Sequence, residues 1–84
     1  MVIHSPKELA LFVQDQRKQK TMSQTSVANK VALKQTTLSK FEIRPETTKL
    51  DTLFRILSAL DLELQIVSKD QVLQNGQKNW GDEW

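Results

Sequence analysis

Ser23-Gln24-Thr25-Ser26-Val27-Ala28-Asn29-Lys30-Val31-Ala32-Leu33-Lys34-Gln35-Thr36-Thr37-Leu38-Ser39-Lys40-Phe41-Glu42 reads as two short helices meeting through a tight turn. Ser23 is an N-cap residue, whose side-chain oxygen can accept from a free backbone N–H of the first turn. Val27, Ala28 and Val31 are the apolar positions of the first helix, and Leu38 and Phe41 fall three apart on a second helix from Lys34 to about Glu42. Two helices that cross closely need a small residue at the contact, and Ala28 supplies it. Val31, Leu33 and Leu38 plug the corner. The second helix then keeps a polar face of Lys34, Gln35, Thr36, Ser39 and Lys40.

Outward from this segment, Ser5-Pro6-Lys7-Glu8 opens an earlier helix. Serine at the N-cap, proline at the first helical position and glutamate three residues after the cap form a capping box. Leu9, Phe12, Val13 and Gln16 continue it as a stripe, and Arg17-Lys18-Gln19-Lys20 places cations at the negative end of its dipole. On the other side, Arg44-Pro45 stops the second helix of the pair, because a residue before proline avoids the helical region. Thr48 with Asp51 is read as the cap of a further helix, for which Leu50, Leu53, Phe54, Leu57 and Leu60 form the apolar stripe.

The period then changes. Leu62-Glu63-Leu64-Gln65-Ile66 alternates apolar and polar, the pattern of a strand, and no second strand pattern exists in the chain. A lone strand is not stable, so Leu62, Leu64 and Ile66 are expected to pair with their copies in a second subunit. From Ser68 the composition turns polar until Trp80 and Trp84. The expected organisation is a folded domain over 1–68 and a flexible tail over 69–84.

Length and composition narrow the function. A chain of 84 residues has room for one small domain and little room for a deep catalytic pocket. With no cysteine and a single histidine, His4, a disulfide framework and a metal site are both excluded as expectations, and no cofactor or catalytic group is suggested. No glycine-rich phosphate loop and no nucleophile with a base is present, so no enzyme is expected. No apolar run approaches the ~20 residues of a membrane span, nor does the N-terminus carry a signal pattern; the expected setting is the cytoplasm, with no membrane partner.

Net charge is only +2, yet residues 16–44 carry seven cations (Arg17, Lys18, Lys20, Lys30, Lys34, Lys40, Arg44) against Glu42 alone. A basic stretch in an otherwise acidic chain suggests a polyanion surface. Duplex DNA fits this best: an α-helix enters the major groove, where lysine donates to guanine O6 and N7, glutamine pairs with adenine N6 and N7, and the Thr36 methyl can meet a thymine methyl. Free N–H groups at Ser23-Gln24 suit a backbone phosphate. Single-stranded RNA fits poorly, because the aromatic stacking faces it needs are missing. Glu42 reads as structural, pairing with an Arg or Lys nearby.

From Met22 to Glu42, and on through Leu50-Asp51-Thr52-Leu53-Phe54-Arg55-Ile56-Leu57-Ser58-Ala59-Leu60, the chain resembles the HipB-like antitoxins of the Cro/C1-type (XRE) helix-turn-helix family. The Leu33–Ser39 segment, a strand directly after the last helix and a tail ending Asp82-Glu83-Trp84 carry the narrower likeness. The resemblance implies an all-α domain of four to five helices, with one C-terminal β-strand pairing across a homodimer. It implies a repressor of its own operon that binds a palindromic operator and also restrains a HipA-like Ser/Thr-kinase toxin. By the same likeness Lys34, Gln35, Thr36, Ser39 and Lys40 contact bases, Ser23, Gln24 and Lys30 lie at the DNA backbone, and Trp84 contacts the toxin. The alternative is a solitary or phage-type regulator of the same family with no toxin partner. Two positions depart from the family pattern. The turn residue usually glycine is Ala32, which at positive φ costs roughly 1–2 kcal/mol, and Ile43-Arg44-Pro45 replaces the usual Asn or Gly after the recognition helix.

Overall fold

The computed structural model describes residues 2–70. Four α-helices follow one another: α1 (Pro6–Gln19), α2 (Gln24–Lys30), α3 (Gln35–Ile43) and α4 (Leu50–Ala59), with a short 3-10 turn at Pro45–Thr47 between the last two. The helical class is as expected. The 3-10 turn was not foreseen; it forms because proline fixes the first residue of a turn while forbidding continuation of α3.

Local sequence accounts for most helix starts. The Glu8 N–H donates to Ser5 Oγ at 3.1 Å, and the Glu8 carboxylate accepts from the His4 N–H at 2.6 Å, a capping box displaced by one residue. Ser23 Oγ accepts from the Ser26 N–H at 3.0 Å. Two starts differ from expectation. Lys34 caps α3 from outside rather than beginning it, and Lys49, not Thr48, is the N-cap of α4; neither gives a side-chain cap bond.

Three helix ends share one device. The N–H groups of Met22, Leu33 and Leu62 reach back to the carbonyls of Arg17, Ala28 and Leu57 at 3.1, 2.9 and 2.9 Å. Each is the six-to-one bond of a Schellman turn, which requires a left-handed residue just before it. Those residues are Thr21, Ala32 and Asp61, with φ of 53°, 56° and 56°. Glycine is usual there, and an L-residue costs about 1–2 kcal/mol. The cost is offset because Met22, Leu33 and Leu62 are thereby turned onto the core. Ala32→Gly is therefore expected to stabilise the chain by roughly 0.5–1 kcal/mol, after allowing for the greater freedom of glycine in the unfolded state. Thermal unfolding should register a rise of a few degrees; an unchanged or lower midpoint would show that the turn carries no net strain.

The core is built from Ala10 and Val13 of α1, Val27 of α2, Leu38 and Phe41 of α3, and Leu53, Ile56, Leu57, Ala59 and Leu60 at α4. Val31 and Leu33 pack partly buried against it, closing the α2–α3 corner, and Ala28 is buried at the crossing as expected. The α4 stripe is rotated from the one inferred: Ile56 is fully buried, while Leu50 and Phe54 are 70% and 52% exposed. Burial at i, i+3, i+4 and i+7 from Leu53 (Ile56, Leu57, Leu60) is the narrower face that a three-helix neighbourhood can cover.

Residues 62–68 run without regular secondary structure, and no strand forms among the described residues. Only Leu62 is held, half-buried against the core, whereas Leu64 and Ile66 are 45% and 82% exposed. The expected strand is thus not formed among the described residues, where its hydrogen-bonding groups have no neighbouring strand. The expected tail falls almost entirely, and Trp80 and Trp84 wholly, outside the described residues.

Candidate nucleic-acid interface

α2 and α3 present the surface, and α1 fixes it from behind. Lys34, Gln35, Thr36 and Lys40 are exposed, and Ser39 is half-buried at the edge of the same face. Ser23 and Lys30 are exposed at the two ends of α2, and Gln24 is half-buried between α2 and α3. All eight residues named from the sequence for DNA therefore lie on α2, α3 or their caps. Ser23 is partly committed, since its hydroxyl caps α2. Leu38 and Phe41 point the opposite way into the core, which orients the polar face outward.

A buried polar network holds the site. Glu42, with only 3% of its side chain exposed, takes Arg17 in a forked pair: Nε donates to Oε2 at 2.8 Å and Nη2 to Oε1 at 3.1 Å. Gln24 Nε2 and Gln14 Nε2 also donate to Glu42 Oε1, at 2.9 and 3.3 Å. Arg17 Nη1 donates to the Met22 carbonyl at 2.9 Å, tying the α1–α2 turn into the same cluster. Two charges withdrawn from water are costly unless the geometry is bidentate and the remaining lone pairs are used. Here the pair is bidentate, and Oε1 takes two further amide donors.

The network reaches the surface. A carboxylate only accepts, so it compels Gln24 to turn its NH2 inward and its carbonyl outward. Gln24 Oε1 then accepts from Gln35 Nε2 at 2.6 Å. That bond in turn leaves Gln35 with its own Oε1 and its second N–H free. One free acceptor beside one free donor is the pattern that an adenine edge complements, through N6–H and N7.

The polar face is legible in the sequence; this support is not. Arg17 was placed among the surface cations and at the dipole of α1; it is instead 11% exposed and neutralised by Glu42. The pairing of Glu42 with a cation was expected, and Arg17 is that cation. Gln14 was not singled out at all. The available signal was its place one turn before Arg17, beside the apolar stripe of α1, opposite the lone acid of a basic segment. Arg44 is exposed and stands 4.0 Å from Glu46, a loose pair that leaves its charge largely free. Among the described residues no group of acids and histidines is arranged to hold a metal, and no helix is long and apolar enough to cross a membrane.

Two helices locked at a corner, with the second exposing a polar face, define a helix-turn-helix domain. Residues 13–67 match the helix-turn-helix family. Over 82 residues the chain is 33% identical to Antitoxin HipB of Escherichia coli strain K12, spanning 98% of this chain and 93% of that protein. Among solved structures it is similar to the HipB chain of the HipB-O4 20mer complex and to a chain of the HipA-HipB-O2-O3 complex. In both cases the TM-score is 0.79 and the identity 37%, over 81% of this chain and 96% of the other. The chain belongs to the HipB-like antitoxins of the XRE-type helix-turn-helix family.

Proposed function

We propose that this chain is a homodimeric, sequence-specific repressor of its own operon that also binds and neutralises a HipA-like Ser/Thr-kinase toxin. One observation carries the DNA-binding half: an exposed recognition face on α3 whose first glutamine is oriented by a buried ion pair. In this reading Lys34, Gln35, Thr36, Ser39 and Lys40 meet base edges, while Ser23, Gln24 (through its backbone N–H) and Lys30 lie along phosphates. Repression follows from occupancy. Two subunits would present α3 about 34–36 Å apart, one turn of duplex, to a palindromic operator. Pairing of the Leu62–Ile66 segments across the two-fold axis would join the halves, using backbone and the exposed Leu64 and Ile66 side chains that the single chain leaves uncovered.

The toxin half rests on the relatives, one of which was solved as a HipA-HipB-O2-O3 complex, and on Trp84. Tryptophan is over-represented among residues that dominate interfaces, so Trp84 is proposed as the toxin contact. Pull-down of the product of the neighbouring gene with the full chain should succeed, and Trp84→Ala should weaken it. Equal capture by both chains would remove Trp84 from the interface.

DNA binding is tested by gel-shift titration on the segment upstream of the chain's own gene, at several salt concentrations. Gln35→Ala is expected to cost about 1–3 kcal/mol at the cognate site and to relax the preference there. Lys30→Ala should instead weaken binding to all sequences and flatten the salt dependence by about one unit of slope. Absence of salt-dependent, sequence-selective binding by the parent chain would leave a protein-interaction module rather than a repressor.

A further inference from the structure

Ile43 is the last residue of α3 and is 73% exposed. The exposed apolar side chains after it behave as a group: Leu50, Leu64, Ile66 and Val67 line one groove and Phe54 lines another with Leu64. Pairing of the 62–66 segments would cover that region. Ile43 lines neither groove.

Its position on α3 says what it faces. At 3.6 residues per turn, Thr36, Ser39, Lys40 and Ile43 occupy one arc of about 100°, opposite Leu38 and Phe41. Ile43 therefore continues the recognition face rather than leaving it. Thr36 and Ile43 are two turns apart, about 10 Å along the axis of α3. An isoleucine offers no donor or acceptor, so it cannot read the polar pattern of a base edge. The one apolar feature that the major groove presents is the C5-methyl group of thymine.

We propose that Ile43 is a specificity-determining residue that reads a thymine methyl in the major groove, beyond the bases met by Gln35 and Thr36. The assignment rests on the DNA-binding reading of α3 above. It adds an apolar contact to an otherwise polar face and predicts a thymine at that step of each half-site.

The test uses the full chain and the DNA upstream of its gene, amplified once with thymidine and once with deoxyuridine triphosphate. The two fragments differ only in the C5-methyl groups. The parent chain is expected to bind the thymine fragment more tightly. Ile43→Ala should reduce that thymine-to-uracil affinity ratio by about fourfold, the worth of one buried methyl group. Because Thr36 contributes to the ratio in both chains, its effect cancels in the comparison. Ile43 is solvent-exposed, so the variant should melt with the parent, and thermal unfolding verifies this. A ratio unchanged by Ile43→Ala, with parent binding intact, overturns the Ile43 assignment alone. Failure of the parent to bind the thymine fragment overturns the DNA-binding reading and this assignment with it.

Discussion

Glu42→Ala is expected to destabilise the chain by about 3–5 kcal/mol, because it strands the Arg17 guanidinium, and the amides of Gln14 and Gln24, in a site with little water. Arg17 is 11% exposed, so most of that penalty is felt. In a domain of this size it corresponds to a melting temperature lower by about 12 °C or more, a large part of the stability that a small domain has. Arg17→Ala should be nearly as damaging, for it leaves the Glu42 carboxylate buried without its cation. The informative comparison is the double replacement Arg17→Leu with Glu42→Leu. Exchange of a whole buried ion pair for apolar groups of similar volume is often neutral or stabilising, so the double variant should recover most of the lost stability. It should not recover DNA selectivity, because the acceptor that turns Gln24 and hence Gln35 is gone. Circular-dichroism melts together with gel-shift titrations separate the two effects. A Glu42→Ala melt within about 1 kcal/mol of the parent would mean that the pair contributes nothing beyond a surface bridge.

The second large effect concerns assembly. If the proposed dimer pairs through this segment, Leu64→Lys with Ile66→Lys is expected to convert it into a monomer and to lower operator affinity by roughly 10²–10⁴-fold, the advantage that linking two half-sites confers. Both side chains are exposed in the single chain, so the fold itself should be unaffected. Truncation after Asp61 would be a poorer test, since the Leu62 N–H closes the end of α4 on the Leu57 carbonyl at 2.9 Å and its side chain packs on the core. Sedimentation of the double variant beside the parent gives the result directly. A variant that stays dimeric would place the two-fold contact elsewhere, and the exposed Leu50 and Phe54 would be the next surface to change.

Helix positions and the corner were legible because they depend on neighbours within one or two turns. The caps at Ser5 and Ser23, the stop at Pro45, and the apolar spacing through Val27, Leu38 and Phe41 are each decided by residues close in sequence. The α4 start was less legible: Thr48 and Asp51 suit a cap, but the chain leaving the 3-10 turn is extended at both Thr48 and Lys49, and the helix begins one residue later. On α4 the choice between Phe54 and Ile56 as the inward residue needed the positions of α1 to α3, since both lie on plausible apolar arcs.

Sequence alone determined the order of helices, the exposed character of Lys34, Gln35, Thr36 and Lys40, and the structural role of Glu42. These follow from periodicity and from the cost of burying charge, which act locally and in the same way in any fold. Tertiary structure decided that Arg17, 25 residues from Glu42, is its partner, that Gln24 and Gln35 are chained to the pair, and that the 62–68 segment lies unpaired among the described residues. Those outcomes depend on how α1 crosses α3 and on whether a second strand is at hand, and neither is written in the spacing of residues along one helix.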